Sequence, residues 1–262
     1  MTLIHKYWKT AALSASGHVG DNPLFLLDYL LRLLRVGVLL ALWRIILAGE
    51  GMVSGMSLDS VLTYTLIAEV FRQQLNCRTE IQSALWSGRI GNYYLRPVGV
   101  FGQFAAQMFG EWLFNLAFFS LPLALLAPLF GVNPLPAEPQ AAVQFLLSLG
   151  LAISVGLALE LFFGALVVYL DHNVYNAYQL REAFVTLLSG ALLPLPLLPW
   201  NLGEFFAYLP FAATASAPLL LYIGVGDPGL LLPLQAFWSA VLWLLAFWFW
   251  RLNRERLVCH GG

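Results

Sequence analysis

Long apolar stretches separated by short polar connections dominate the pattern along the chain. Most of them approach the roughly 20 residues that a helix needs to cross the hydrocarbon core of a bilayer. The pattern predicts six transmembrane helices, at about Leu24–Leu47, Leu58–Leu75, Phe101–Phe130, Ala141–Leu170, Tyr178–Leu193 and Leu230–Trp250. We therefore expect an all-α integral membrane protein.

The composition supports this fold class. Of the 262 residues, 60% are apolar and only 10% are charged, whereas an ordinary soluble domain is about a quarter charged. The mean hydropathy of +0.76 leaves too few charges to cover the surface of a water-soluble globule. A net charge of −1 provides no basic patch for nucleic acid.

The distribution of basic residues predicts the orientation. Basic residues precede the first predicted span, surround the connection between the second and third, begin the fifth and follow the sixth: Lys6, Lys9, Arg72, Arg78, Arg89, Arg96, Arg181, Arg251, Arg254 and Arg256. The connections at 48–57, 131–140 and 194–229 contain acids but no Lys or Arg. By the positive-inside rule both termini are cytoplasmic, which agrees with an even number of spans.

One membrane domain is expected to occupy the whole chain. Residues 1–23 are predicted to form a polar, weakly amphipathic cytoplasmic segment, residues 24–250 the six-span bundle, and residues 251–262 a cytoplasmic tail. The first segment has no apolar region followed by a small-residue cleavage site, so we expect no cleavable signal peptide.

The connection between the fifth and sixth predicted spans is the longest on the outer side. Pro194, Pro196 and Pro199 are expected to end the fifth helix, because proline cannot continue the hydrogen-bond ladder. The chain nevertheless stays largely apolar beyond them. A re-entrant pair of short helices would satisfy its backbone groups within the outer leaflet. The alternative is an interfacial loop anchored by Trp200 and Tyr208.

Several kinds of chemistry are missing from the sequence. Lys6 and Lys9 are the only lysines, and neither follows a glycine-rich loop, so the chain has no P-loop lysine. Cys77 and Cys259 form no CxxC or His-rich metal pattern. We expect no metal or cofactor bound by this chain, and any nucleotide-driven work would come from a partner subunit.

Asp171 beside His172 is the one candidate for acid–base catalysis. A carboxylate next to an imidazole could orient a general base. The alternative is a polar stop in the headgroup region, at the inner end of the fourth predicted span. A membrane enzyme is therefore a third functional hypothesis.

Charges inside predicted spans are costly, and by default they indicate functional positions. Glu69, Glu111 and Glu160 lie in the second, third and fourth predicted spans, and Arg44 lies towards the outer end of the first. These four are the candidate residues of a translocation pathway. The glutamates could be neutral, line a hydrated path or pair with arginines near the cytoplasmic face. A proton-coupled secondary transporter using them is the alternative function.

The first predicted span carries further charges in its inner half. Asp28 and Arg32 are four residues apart on one helical face and are expected to pair. Arg44 is expected to extend outward or to pair with Glu50 or another acid near the outer surface.

The connection that begins at Thr79 is the most informative part of the cytoplasmic side. Thr79 can cap a short helix with Gln82 at the capping-box position. Ile81 and Leu85 then form an apolar stripe, and Gly88 ends the helix. Such an amphipathic helix could dock its exposed apolar and aromatic face in a groove of a soluble partner. It could equally be an interfacial helix lying on lipid.

A resemblance to a known family rests on this connector. Its Glu80-Ile81, Ser87-Gly88-Arg89-Ile90 and Tyr94-Leu95-Arg96-Pro97 resemble the cytoplasmic connector of ABC type-2 permeases, and more narrowly their six-span subfamily of similar length. The order and spacing of further segments also fit: Leu42-Trp43-Arg44, Leu187–Gly190, Pro194 with Pro199, Leu209-Pro210-Phe211 and the basic tail.

The resemblance implies the permease subunit of an ATP-driven exporter in a bacterial plasma (inner) membrane. Such a permease pairs with an identical or homologous second permease over two copies of an ATP-binding subunit, which would bind ATP and Mg. ATP binding would rock the helix bundles through the docked connector. The short outer connections leave no platform for a periplasmic binding protein, which favours export.

The resemblance also assigns roles to segments. Residues 80–91 would be the coupling helix, the segment before Leu24 would be an elbow along the inner membrane surface, and the segment after Leu193 would help to close the outer end. The implied coupling residues are Glu80, Ile81, Gln82, Ser83, Leu85, Trp86, Gly88 and Arg89. Pro194, Pro196 and Pro199 are the implied outer gate.

Overall fold

Helices joined by turns make up the computed structural model, which describes residues 6–12, 25–49, 51–96, 98–169 and 174–253. Within these ranges no strand occurs, and an isolated bridge joins Val53 to Met56. The principal helices are α1 (Phe25–Ile46), α2 (Leu58–Val70), α3 (Ile81–Trp86), α4 (Ile90–Tyr94), α5 (Val100–Phe130), α6 (Pro139–Tyr169), α7 (Val174–Leu188), α8 (Leu202–Ala207), α9 (Ser216–Tyr222) and α10 (Pro228–Leu252). The predicted all-helical class is confirmed.

Among the described helices, α5, α6 and α10 are long and apolar enough to cross a membrane. Helix α1 has 22 residues but carries four charged ones. Helices α2 and α7, with 13 and 15 residues, are shorter than a full crossing of roughly 20. Every predicted span therefore contains a helix, while the number of six crossings stays a prediction.

Two helix ends differ from those predicted. Helix α2 ends at Val70, and a separate turn at Arg72–Leu75 follows. Helix α7 ends at Leu188, so the expectation that the prolines end this helix is wrong. Gly190 has φ +81°, a left-handed conformation that favours glycine, and its carbonyl accepts a 2.7 Å hydrogen bond from the Tyr64 hydroxyl.

Polar side chains join α6 to α10 along their buried contact. Ser148 donates to Gln235 at 2.7 Å, and Gln235 in turn donates to the carbonyl of Ala213 at 2.8 Å. Ser154 and Ser239 are 2.7 Å apart at their hydroxyl oxygens. Hydrogen bonds of this kind hold helices together where apolar surface gives no preference among partners. Helices α6 and α10 and the segment before α9 are therefore joined by hydrogen bonds as one unit.

The segment between α7 and α10 combines both predicted arrangements. It contains two short helices, and the stretch 212–219, which leads into α9, is buried throughout. Trp200 and Tyr208, the anchors of the alternative interfacial loop, are exposed on either side of α8. The buried half fits a re-entrant helix and the exposed half fits an interfacial one.

Residues 6–12 are helical and contact α5 through two of its glycines. A Cβ atom on Gly110 would lie 2.1 Å from the carbonyl oxygen of Ala11, and one on Gly102 would lie 2.6 Å from the Tyr7 hydroxyl. Only glycine permits backbone approach this close. Because residues 13–24 lie outside the described part, the elbow stays a prediction.

Candidate functional site

The apolar stripe of α3 packs against its own chain. Ile81 and Leu85 are buried, at 0% and 3% exposure, in a cluster with Leu161 and Ala165 of α6. The space is made by Gly164, where a Cβ atom would lie 2.9 Å from Ile81 Cδ1. The stripe is therefore covered by its own chain, and neither a partner nor lipid, the two open alternatives, contacts Ile81 and Leu85: they attach α3 to the bundle.

The opposite face of α3 is the exposed one. Glu80, Ser83, Trp86 and Ser87 are exposed, at intervals of three and four residues that place them on one side of a helix. Trp86 has the largest side chain of this set and is 66% exposed, with its ring centre 6.4 Å from that of Tyr175. A partner that touches α3 would meet these residues.

Side-chain hydrogen bonds define both ends of α3. The Thr79 hydroxyl accepts from the Ile81 amide at 3.3 Å, although Glu80 occupies the N-cap position. Gly88 follows the helix with φ +69°, as its predicted role requires. Arg89 folds back to donate to the hydroxyls of Ser87 and Ser83, at 2.8 and 3.2 Å. Gln82 is half-buried beside this exposed face.

A buried ion pair holds the connector to α6 and α7. Glu160 and Arg181 are each 2% exposed, and their Oε2 and Nε atoms are 3.1 Å apart. Glu160 Oε1 accepts from the Thr79 amide at 3.2 Å, and Arg181 donates to the Cys77 carbonyl at 2.8 Å. Each residue of the pair therefore also forms a hydrogen bond with the backbone that leads into α3.

The network continues to the protein surface through Glu182. This residue lies 3.7 Å from Arg181 and pairs with Arg78, and it accepts from Asn76 at 3.1 Å. A cavity of about 590 Å³ opens here, lined by Glu80, Trp86 and Glu182 among others. The exposed face of α3 and the start of α7 therefore form one recess.

Glu160 was a candidate pathway residue, and the structure shows it as part of a structural pair. The sequence pattern uses Arg181 only to predict orientation, and it gives no role to Glu182. Their proximity could not be found from spacing, because Glu160 and Arg181 lie on different helices, 21 positions apart across the connection after α6. The sequence signal that could have suggested a pair is the position of both charges within predicted spans, where an unpaired charge is costly.

The other pathway candidates are separate from this network. Glu69 of α2 pairs with Arg35 of α1, at 3.2 Å. Glu111 of α5 lines a cavity that also contains Arg32 and Arg72. Arg44 donates to the carbonyl of Phe130, at the end of α5. The four candidates thus occupy different places, and the described residues do not bring them together as one path.

Some of the predicted partners fall outside the part of the chain that the structure describes. The side chain of Asp28, and the whole of Glu50, Asp171 and His172, lie outside the described residues. Arg32 places its guanidinium 4.3 Å from the centre of the Phe119 ring. The Asn115 amide, oriented with its oxygen towards Arg32, accepts from both terminal nitrogens at 2.9 and 3.1 Å.

The three prolines between α7 and α8 differ in environment. Pro194 is buried, Pro196 is intermediate and Pro199 is exposed. Short 3-10 turns follow them, and Trp200 and Asn201 adopt left-handed φ values of +57° and +58° before α8 begins. The prolines thus shape a compact turn whose role as an outer gate stays a prediction.

Gly203 of α8 provides a test of how tightly this turn is packed. A Cβ atom at this position would lie 1.9 Å from the carbonyl oxygen of Leu195, so Gly203→Ala must push two backbone segments apart. We expect the free energy of unfolding to fall by about 1–3 kcal/mol, the usual cost of overpacking. Thermal unfolding in detergent, followed by circular dichroism, measures it.

Gly51→Ala is the matched control, because nothing lies within 4 Å of a Cβ atom at that exposed position. Its stability is expected to stay within about 0.5 kcal/mol of the unmodified protein. Equal stability of the two variants would contradict the tight packing of α8 on the proline turn.

Comparison with known proteins gives a family for this bundle. The family model described as "ABC-2 family transporter protein" matches residues 33–261. No curated protein and no solved structure matches the chain. The match covers nearly all of the chain, from Leu33 in α1 to beyond the end of α10, and includes the connector with α3. This chain therefore belongs to the ABC-2 transporter family and is a permease-type component of membrane transport.

Proposed function

We propose that the chain is the permease subunit of an ATP-driven exporter and that α3 is its coupling helix. In this proposal two copies of a separate ATP-binding subunit bind ATP and Mg. A second permease, identical or homologous, completes the pathway, and both termini face the cytoplasm. The family match supports permease-type transport. The construction of α3 supports the more specific role.

The observation that carries the proposal is the two-sided construction of α3. Its inner face is locked by Ile81 and Leu85 against α6, while its outer face presents Trp86. The Glu160–Arg181 pair fixes the preceding backbone to α6 and α7. A displacement applied to the exposed face is therefore expected to move α6 and α7 with α3, rather than to be absorbed by a loose loop.

The mechanism follows from this rigidity. Closure of two ATP-binding subunits would move the two docked α3 helices, and α6 and α7 would follow as attached elements. Rigid-body rocking of packed helices is an established means of switching between states. ATP shifts the equilibrium only by the difference in its affinity for those states.

The proton-coupled carrier is not favoured. Glu69 and Glu160 are each paired with an arginine, at 3.2 and 3.1 Å. Each of these carboxylates already has a guanidinium partner, and the described residues do not bring the candidate acids together along one path. The family match likewise points to an ABC-type transport component.

Substitution of Trp86 tests the coupling role. The chain is co-expressed with a candidate ABC-type ATP-binding subunit from the same genome, and the complex is captured on a tag carried by the chain. We expect Trp86→Asp to reduce the recovered ATPase at least tenfold, because an exposed aromatic anchor is the type of residue that dominates docking energy. Helicity and yield of the chain should be unchanged, since Trp86 is mostly exposed.

Trp200→Asp is the matched control, because Trp200 is also highly exposed, at 88%, but lies in the outer segment. It should retain full ATPase recovery. The proposal fails if Trp86→Asp keeps the ATPase, or if Trp200→Asp loses it to the same extent.

A further inference from the structure

We infer that one side of α7 lines a water-filled groove, which extends the recess beside α3 into the membrane, and that Gln179 and Thr186 form its wall. The four pathway candidates taken from the sequence lie on other helices. Hydration of the groove is independent of the proposed function. Its use as part of a transport path rests on that function.

Helix α7 has three different sides, each made of residues that follow one another at intervals of three or four and therefore share a face. The buried side consists of Tyr178, Arg181 and Val185. The exposed apolar side consists of Leu180, Phe184 and Leu187. The polar side consists of the exposed Tyr175, Gln179 and Thr186 and the half-buried Glu182. The polar side is covered neither by α6 nor by an apolar stripe of its own helix.

This polar side sets α7 apart from the longer helices. In the described parts of α1, α5, α6 and α10, exposed residues with charged, amide or hydroxyl side chains lie only in the first or last turn. On α7, Gln179 lies in the second turn, and Thr186 follows Val174 by 12 positions, about 18 Å along the axis. The hydrocarbon core is about 30 Å thick, so Thr186 lies at a depth where the other helices expose apolar residues.

The side chains at this depth require a polar partner. Neither Gln179 nor Thr186 has a hydrogen-bond partner within the described part of the chain. A polar group exposed to hydrocarbon gives up its water without replacement, which is costly. Polar residues of membrane spans therefore face the protein interior or a water-filled cavity. Because its own chain does not cover this side of α7, water is the partner that satisfies both residues.

The polar side is continuous with a cavity. Tyr175, Gln179 and Glu182 are among the residues that line the recess of about 590 Å³ beside α3. Thr186 follows Glu182 by about one helical turn on the same face. Water in the recess can therefore reach Thr186 along polar side chains.

The wall of this groove carries no unpaired charge. Glu182, its one charged member, pairs with Arg78 and lies 3.7 Å from Arg181. The amide of Gln179 and the hydroxyl of Thr186 can each both donate and accept hydrogen bonds. The groove therefore suits uncharged, hydrogen-bonding groups of a cargo.

Reaction of single cysteines with charged methanethiosulfonates tests the groove. These reagents stay in water and react with thiolates, which form where a thiol meets water. Cys259→Ser removes one native cysteine, and Cys77 is kept because it is 1% exposed. The full-length chain is labelled in membranes of its native host, where its natural partners are present. We expect Thr186→Cys to react at least tenfold faster than Leu187→Cys.

Leu187→Cys is the matched control, because Leu187 is the next residue of α7, at nearly the same depth, and is itself 68% exposed. Gln179→Cys against Leu180→Cys repeats the comparison nearer the recess, with the same expected ratio. All four positions are exposed, so the substitutions should not change the yield of the chain. Adding Trp86→Asp should leave the rate of Thr186→Cys within twofold, so that failure of the coupling proposal and failure of this inference are seen separately.

The charge of the reagent supplies a second measurement. A cationic and an anionic reagent should modify Thr186→Cys at rates within threefold of each other, and a larger difference would overturn the uncharged character of the wall. Equal reaction of Thr186→Cys and Leu187→Cys, or no reaction of either, would overturn the groove itself. A disulfide between two chains that carry Thr186→Cys, without reaction with either reagent, would also overturn it, because it would show direct contact with a second copy.

Discussion

Replacing Glu160 with Gln is expected to lower the free energy of unfolding by about 3–5 kcal/mol, which is the usual cost of removing one partner from a buried ion pair. The substitution would leave Arg181 charged and 2% exposed, without its buried carboxylate partner and with only Glu182 at 3.7 Å. Unfolding in mixed micelles, followed by circular dichroism, measures the loss.

The same network contains a matched comparison. Arg78 pairs with Glu182 at the surface, with 62% of its side chain exposed, so Arg78→Gln should cost no more than about 1 kcal/mol. A second comparison replaces both members of the buried pair by apolar residues, Glu160→Leu with Arg181→Met. That double variant should recover part of the loss, because no unpaired charge remains. A loss for Glu160→Gln no larger than for Arg78→Gln would contradict the structural role of the pair.

Leu85→Asp is expected to be equally damaging, for a different reason. The substitution removes a fully packed side chain of the contact between α3 and α6, and truncation of a buried leucine alone costs about 2–5 kcal/mol. It also places a carboxylate where apolar side chains surround it, which adds a desolvation cost. We expect the free energy of unfolding to fall by at least about 2–5 kcal/mol. We also expect loss of ATPase capture, because α3 is no longer held in place.

Leu95→Asp is the control for this substitution, since it makes the same chemical change in the same connector at a position that is 83% exposed. Its stability should stay within about 0.5 kcal/mol of the unmodified chain. Comparable losses in the two variants would show that Leu85 is not packed as described. Comparison with Trp86→Asp then separates failure to hold α3 from failure to dock a partner.

Residues of one type have different roles according to their helical neighbours. Glu69 and Glu160 both lie in apolar segments, yet Glu69 joins α1 to α2 near the surface and Glu160 joins three elements in the interior. Sequence spacing does not distinguish them, because it indicates which helix a residue belongs to but not which other element packs against that residue. Arg181 shows the same limit, since its charge predicts orientation but not its buried partner.

Local patterns determined much of this protein directly. Apolar length and low charge are properties of each segment, and they sufficed for the helical membrane class. The short helix of the connector, its end at Gly88 and the family resemblance were likewise available from residues close together in the chain, and the family match to residues 33–261 confirmed the resemblance.

Tertiary structure alone decided which side of each helix is covered. The stripe of Ile81 and Leu85 is equally suited to lipid, to a partner or to α6, and only the position of Gly164 beside it shows that α6 takes that place. The pairing of Glu160 with Arg181 and the cavity beside Arg72 arise in the same way, from elements distant in sequence. Hydrophobic burial is non-directional, so a sequence can specify that a face must be covered without specifying what covers it.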